Sequence, residues 1–239
     1  MKQVLFAVVI IITFCCFKPW ETIKGNGNSK KESREVKNFT GISVSGSMNV
    51  ELDYGKGNAL TVEADDNLLP YIETVVKDGM LVIKSKDNVN LKSKSKIVVH
   101  ASATMLTELK VSGSGDINGK GDFYNDGTTA VSLSGSGNIN MGVKSFSETK
   151  ISISGSGNVK LSGENTESVE ASISGSGDID CSEFSCDNVE ARVSGSGNIK
   201  VFANKSIDAK VSGSGNIYYK GAATNINMKS AGSGKVIKM

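Results

Sequence analysis

Val169-Glu170-Ala171-Ser172-Ile173-Ser174-Gly175-Ser176-Gly177-Asp178-Ile179-Asp180-Cys181 holds the pattern that decides the fold. Val169, Ala171 and Ile173 alternate with Glu170, Ser172 and Ser174, the period of two of a half-buried strand. Gly175-Ser176-Gly177 interrupts the alternation, and glycine there permits a sharp turn at positive φ. Alternation then resumes with Ile179 and Cys181. Working outward, Ser-Gly-Ser-Gly-(Asn/Asp) recurs from Ser112, Ser134, Ser154, Ser174, Ser194 and Ser212, in steps of 22, 20, 20, 20 and 18 residues. A fixed period near 20 marks a stacked repeat, one supersecondary unit per copy.

The apolar residues keep one phase relative to every corner: Val189, Ala191 and Val193 before one, Ile199 and Val201 after it. They must face a common interior. No helical period separates the strands, which argues against a doubly wound α/β fold. A propeller blade would need about 40 residues per repeat. The pattern predicts an all-β parallel β-helix with coils of about 20 residues and an irregular β region at its N-terminal side. One coil buries too few side chains to offset the entropy of ordering it, so neighbouring coils must supply the rest. Leu133, Ile153, Ile173, Val193 and Val211 should stack as one buried column, each pairing in parallel with the next.

Composition agrees. A narrow core of Val and Ile with many corners needs few aromatics and much glycine, and the 239 residues hold 6% aromatics and 27 glycines. The 27 basic and 25 acidic residues nearly balance, and only Arg34 and Arg192 are arginines. No basic stripe interleaved with aromatics is present, which argues against nucleic acid as a partner.

Lys2 followed by the apolar run Val4–Phe17 reads as an export signal over residues 1–18. Fourteen residues of helix reach about 21 Å, short of a bilayer core of about 30 Å. The tandem Cys15-Cys16 opens two readings. In one, Cys16 becomes the lipidated N-terminus of a lipoprotein, giving membrane contact only through that anchor. In the other, cleavage is ordinary and the cysteines are incidental. Further on, Cys181 and Cys186 either bridge, which an oxidising compartment permits, or stay reduced. Cys181 shares its phase with Met141, Leu161, Val201 and Tyr219, which favours an inward slot.

Residues 19–35 are polar and read as a flexible linker leading to an entry strand. Residues 36–106 read as irregular β that starts or caps the solenoid, with a hairpin turning at Asp78-Gly79 and a turn at Leu68–Tyr71 capped by Asp65-Asp66-Asn67. Residues 85–96 read as a lysine-rich loop, and 107–239 as the regular ladder.

Three blocks occur in a specific order: Ile23-Lys24-Gly25-Asn26-Gly27-Asn28, then Phe39-Thr40-Gly41-Ile42-Ser43-Val44-Ser45-Gly46, then Val62-Glu63-Ala64-Asp65-Asp66-Asn67-Leu68-Leu69-Pro70-Tyr71-Ile72. With the Gly-Ser-Gly-Asn ladder behind them, residues 23–239 resemble the head GIN domain family, described as auto-transporter adhesins of exported bacterial proteins. The resemblance implies a right-handed β-helix-like fold and an envelope location. The adhesin label is itself an inference for that family, and it brings no catalytic residues. Met48 stands where the corner's second glycine would be, a departure of local geometry.

Several chemistries can be weighed on the residues. Calcium-binding β-rolls use nine-residue units, and the acidic position here is mostly amide: Asp116, Asn138, Asn158, Asp178, Asn198, Asn216. A stacked ladder satisfying turn backbone groups explains that row better. A phosphate-binding loop needs a helix directly after its glycines, where strand alternation follows instead. His100 is the only histidine and borders the apolar run 97–99, as a solvated strand end. The outward row after the corner reads Asn118, Asn140, Lys160, Asp180, Lys200, Tyr218, and the row before it Lys110, Ser132, Ser152, Ser172, Arg192, Lys210. Neither shows the carboxylate cluster that a polysaccharide-acting enzyme would need, although β-helices often host such enzymes. No metal, cofactor or catalytic residue is therefore expected. The expectation is an exported cell-envelope protein presenting a rigid polar face to a polysaccharide or protein ligand through repeated weak contacts. The alternatives are a structural envelope protein without a discrete ligand, or a polysaccharide-acting β-helix enzyme.

Overall fold

The computed structural model describes residues 20–56 and 59–239. The export signal and Cys16 lie outside the described residues. Among the described residues the regular secondary structure is all β-strand, apart from one 3-10 turn at Leu69–Tyr71. In chain order the strands are β1 (Glu21–Lys24), β2 (Ser29–Glu35), β3 (Gly41–Gly46), β4 (Asn49–Tyr54), β5 (Ala59–Asp65), β6 (Ile72–Lys77), β7 (Met80–Ser85), β8 (Val89–Lys92), β9 (Val98–Ala103) and β10 (Glu108–Gly113). Then follow β11 (Ile117–Lys120), β12 (Tyr124–Gly135), β13 (Asn138–Val143), β14 (Ser145–Gly155), β15 (Asn158–Ile173), β16 (Ile179–Val193), β17 (Ile199–Val211), β18 (Ile217–Lys220), β19 (Asn225–Ser230) and β20 (Val236–Lys238).

From β10 onward the chain winds as a parallel β-solenoid, one coil per repeat. The predicted column is present. Leu133 pairs with Ile153, Ile153 with Ile173, Ile173 with Val193, and Val193 with Val211, all in parallel and all buried. A second column runs behind the corner through Val50, Ile117, Ile139, Val159, Ile179, Ile199 and Ile217. The long strands β15, β16 and β17 pass through both columns, and their register slips where they bend between them. Phe123, Phe146 and Phe184 are fully buried, and the last two meet edge to face at 6.4 Å.

The N-terminal region stacks out of chain order. β3 and β4 form one coil, and β10 and β11 pair with it on one side. On its other side lie β7 and β9, which come later in the chain than β3 and β4. That end is closed by antiparallel strands: β6 on β7, β5 on β9, and β2 on β5. The β6–β7 hairpin turns at Asp78 (φ 50°) and Gly79 (φ 77°), the left-handed pair that fits the twist of a two-residue hairpin.

Three sequence expectations are corrected here. Within 19–35, β1 pairs with β8 and β2 pairs with β5, so this stretch is strand rather than flexible linker. Its polarity has another cause: β2 lies at the outside of the cap with most residues exposed. Arg34 anchors it by donating to the carbonyls of Ile72 at 2.7 Å and Leu69 at 2.9 Å. Residues 85–96 are not all loop, because β8 lies among them. The turn at Leu69–Tyr71 has no side-chain cap. Asp66 and Asn67 turn to the Gly25–Asn28 loop instead, where Asn67 Oδ1 accepts from the Asn26 amide at 3.0 Å and Asn67 Nδ2 donates to the Lys24 carbonyl at 2.8 Å.

The corners show why two glycines recur. The first takes positive φ at Gly113, Gly135 and Gly155. The second is required by stacking: a Cβ on Gly177 would lie 1.9 Å from the carbonyl oxygen of Gly157 in the coil below. Met48 escapes this constraint. In the coil beneath it, the connection from β7 to β9 detours through residues 86–97, so no glycine corner sits under it.

Candidate functional site

The solenoid's outward side chains form rows, and the corner row is the most continuous. Its side-chain oxygens accept backbone amides from the next coil: Asn49 Oδ1 from Asp116 at 3.1 Å, Asp116 Oδ1 from Asn138 at 2.9 Å, and Asn158 Oδ1 from Asp178 at 3.1 Å. At the Asn138 rung the Asn158 amide turns to the Gly137 carbonyl at 3.2 Å, and only Asn158 Nδ2 reaches Asn138 Oδ1, at 3.0 Å. The row continues with Asp178 Oδ1 accepting from Asn198 at 2.7 Å, Asn198 Oδ1 from Asn216 at 3.1 Å, and Asn216 Oδ1 from Lys235 at 3.0 Å. The amide Nδ2 groups of Asn138, Asn158, Asn198 and Asn216 add a side-chain bond to the rung beneath. The ladder thus has one direction, donors from above and acceptors below. An aspartate can accept in it but cannot donate, so Asp116 and Asp178 interrupt the side-chain chain without losing the backbone bond.

On the face before the corner, Lys110, Ser132, Ser152, Ser172, Arg192 and Lys210 stack in register. Two residues earlier the sequence reading missed a row. Lys150, Glu170, Glu190 and Asp208 are register neighbours, so the ladder does carry a carboxylate cluster. The signal was available, because each stands four residues before the first serine of its repeat. The adjacent row neutralises it. Arg192 bridges Glu170 and Glu190, and Lys210 lies 3.2 Å from Asp208 and 3.9 Å from Glu190. Burial works to raise Asp208, but hydrogen bonds from Lys210 and Asn227 and the charges of Lys210 and Arg192 outweigh it and lower its pKa. A shallow depression of about 400 Å³ lies over this lattice.

On the face after the corner, Asn118, Asn140, Lys160, Asp180, Lys200 and Tyr218 also stack in register. Short aspartates between long lysines leave a groove of about 800 Å³, floored by Asp178 and Asp180 and walled by Lys160, Lys200 and Tyr218. Asp180 Oδ1 accepts from the Ser182 hydroxyl at 2.6 Å and its amide at 3.0 Å. Burial pushes Asp180 up, but the two Ser182 bonds and the charges of Lys200 and Lys160 together hold it below the usual carboxylate range.

Cys181 and Cys186 are both buried and both free thiols. Burial pushes the Cys186 thiol up to about 12, and Cys181 higher still, so neither is poised as a nucleophile. His100 lies within β9 rather than at its end, facing outward with Nε2 3.9 Å from Glu63 Oε2. Among the described residues no group of three or more His, Cys, Asp or Glu is placed to hold a metal ion, and no helix is long and apolar enough to cross a membrane.

Stacked coils, a corner ladder and outward rows define a parallel β-solenoid protein with surface-exposed repeats. The family model described as "Putative auto-transporter adhesin, head GIN domain" matches residues 38–223, and the chain belongs to that family. Among solved structures it is similar to a putative adhesin from Bacteroides fragilis, with TM-score 0.84 and 24% identity over 91% of this chain and 100% of that one. A putative lipid binding protein from Parabacteroides distasonis gives TM-score 0.70 and 27% identity over 92% and 100%. A putative adhesin from Parabacteroides merdae gives 0.68 and 24% over 92% and 99%. No curated protein matches.

Proposed function

We propose that this protein is a non-enzymatic, exported cell-envelope adhesin whose solenoid holds outward side chains in fixed rows for binding glycan or protein. The observation that carries this reading is the directional corner ladder from Asn49 to Lys235, which locks each coil's register to the next. Side chains on a locked grid lose little freedom on binding, and repetition lets weak contacts add. Family membership supports the adhesin class. The export signal at residues 1–18 supports the location, with Cys16 as the residue for a lipid anchor. Against a glycosidase working through Asp180 or Asp208 stands the state of these two groups. A glycosidase needs one carboxyl group protonated near neutral pH. Asp180 and Asp208 are both held below the usual range.

The test pairs a glycan array and an envelope-protein capture with hydrolase and lyase assays on the same polysaccharides. Retention without turnover is expected. Turnover, or the absence of any bound glycan or envelope protein, overturns the reading.

A further inference from the structure

The groove on the face after the corner differs from the rest of the surface in what it leaves unpaired. We propose that it is a carbohydrate subsite for a pyranose chain, with one ring face on Tyr218 and the hydroxyls of a neighbouring ring on Asp178 and Asp180. This rests on the adhesin reading above and adds to it the place and the ligand class.

Two outward rows meet there. Asp178 and Asp180 are two residues apart along one strand direction, about 6.6 Å at the rise of a strand. Across the strands, Lys160, Asp180, Lys200 and Tyr218 follow one another at about 4.8 Å. Each aspartate uses only Oδ1 within the protein: Asp178 on Asn198, and Asp180 on Ser182. Each Oδ2 is left without a protein partner among the described residues, so two acceptors line the groove floor. Lys160 is tied to Glu183 at 3.7 Å. Lys200, by contrast, makes no ion pair among the described residues and remains a donor. Tyr218 is half-buried, lines the groove, and its hydroxyl makes no hydrogen bond among the described residues.

An aromatic face, two carboxylate acceptors, and Lys200 and Lys238, both without an ion pair among the described residues, match neighbouring rings of a sugar chain. They are spread over about 10 Å from Asp180 to Tyr218. Such a ring is apolar on its C–H face and polar at its edge, the same division an amphipathic aromatic offers in reverse. An extended acidic peptide fits less well, because it offers no regular ring face to Tyr218 while still meeting the two carboxylates of the groove floor. Asp180, held ionised, accepts hydrogen bonds from hydroxyl groups across the neutral range.

The experiment titrates the full exported protein with soluble xylan, mannan and polygalacturonate oligosaccharides, read by calorimetry and by NMR shifts. Tyr218→Ala, Asp180→Asn and Lys200→Ala are compared with Lys110→Ala on the face before the corner, and circular dichroism checks that each variant keeps its fold. At least a tenfold loss of affinity is expected for Tyr218→Ala and Asp180→Asn, with none for Lys110→Ala. Lys200→Ala should matter most for polygalacturonate. Oligosaccharide binding that these variants leave intact overturns the subsite while leaving the adhesin reading standing. Failure of every oligosaccharide, with an acidic peptide shifting the groove signals, overturns it in favour of a protein ligand. Failure of both kinds of ligand overturns the subsite alone, since the adhesin reading falls only if the glycan array and envelope-protein capture are also empty.

Discussion

Asp178 Oδ1 accepts two bonds from Asn198, the backbone amide at 2.7 Å and the side-chain Nδ2 at 3.1 Å. In the described ladder each aspartate rung is followed by an asparagine that donates in this way; the next coil after Asp116 brings Asn138. Two aspartates in succession would put two acceptors in contact with no proton between them.

Asn198→Asp should therefore destabilise the fold at neutral pH, by about 1–2 kcal/mol for two carboxylates at strand spacing. Mutual repulsion raises the folded-state pKa of the pair above the unfolded value, so the loss is present at neutral pH and is relieved as pH falls through that raised value. Thermal melts at pH 7 and pH 4 check this. Asn198→Ala should cost about 1–3 kcal/mol at both, because it leaves the Asn216 amide without its acceptor.

Gly177→Ala should be costlier than its size suggests. The added methyl would sit 1.9 Å from the Gly157 carbonyl oxygen, and backbone cannot yield as a side chain does. Overpacking of this kind costs about 1–3 kcal/mol, occasionally more. Denaturant unfolding measures it. Ile173→Asp, which buries an unpaired charge between Ile153 and Val193, should cost several kcal/mol more.

Acid should weaken the protein late. Asp180 and Asp208 have folded-state pKa values below the unfolded value of about 3.9. Their contribution is complete above that unfolded value and is lost as pH falls through the depressed folded values. Stability should be flat from pH 7 to about pH 4 and decline below it. A decline centred near pH 6 would contradict this.

The lipoprotein reading of the export signal is tested by Cys16→Ser. The variant should move from membrane to soluble fractions and lose lipid labelling. Membrane retention with labelling unchanged would rule out Cys16.

Why some of this was legible in sequence and some was not follows from the range of each signal. The column from Leu133 to Val211 could be read because alternation and corner are local, and stacking repeats them. The corner ladder could be read because Asn and Asp occupy one position of each repeat. The position of β7 and β9 beneath β3 and β4 could not, since pairing between distant strands leaves no local mark. β2 looked like linker because an outer cap strand buries little and so carries few apolar residues. The row Glu170, Glu190 and Asp208 is periodic in the sequence, but it stands four residues before each corner, outside the two rows that flank the corner. The groove needed the structure, because which oxygens stay unpaired depends on Ser182 and Asn198.

A protein that holds a ligand without transforming it stays bound and leaves the ligand intact. The direct measurement incubates it with an immobilised polysaccharide that retains it, and follows retained protein and released reducing ends in the same sample. The protein should stay bound and the polymer unchanged. Release of sugar that disappears in Asp180→Asn would contradict this and make the groove an active site.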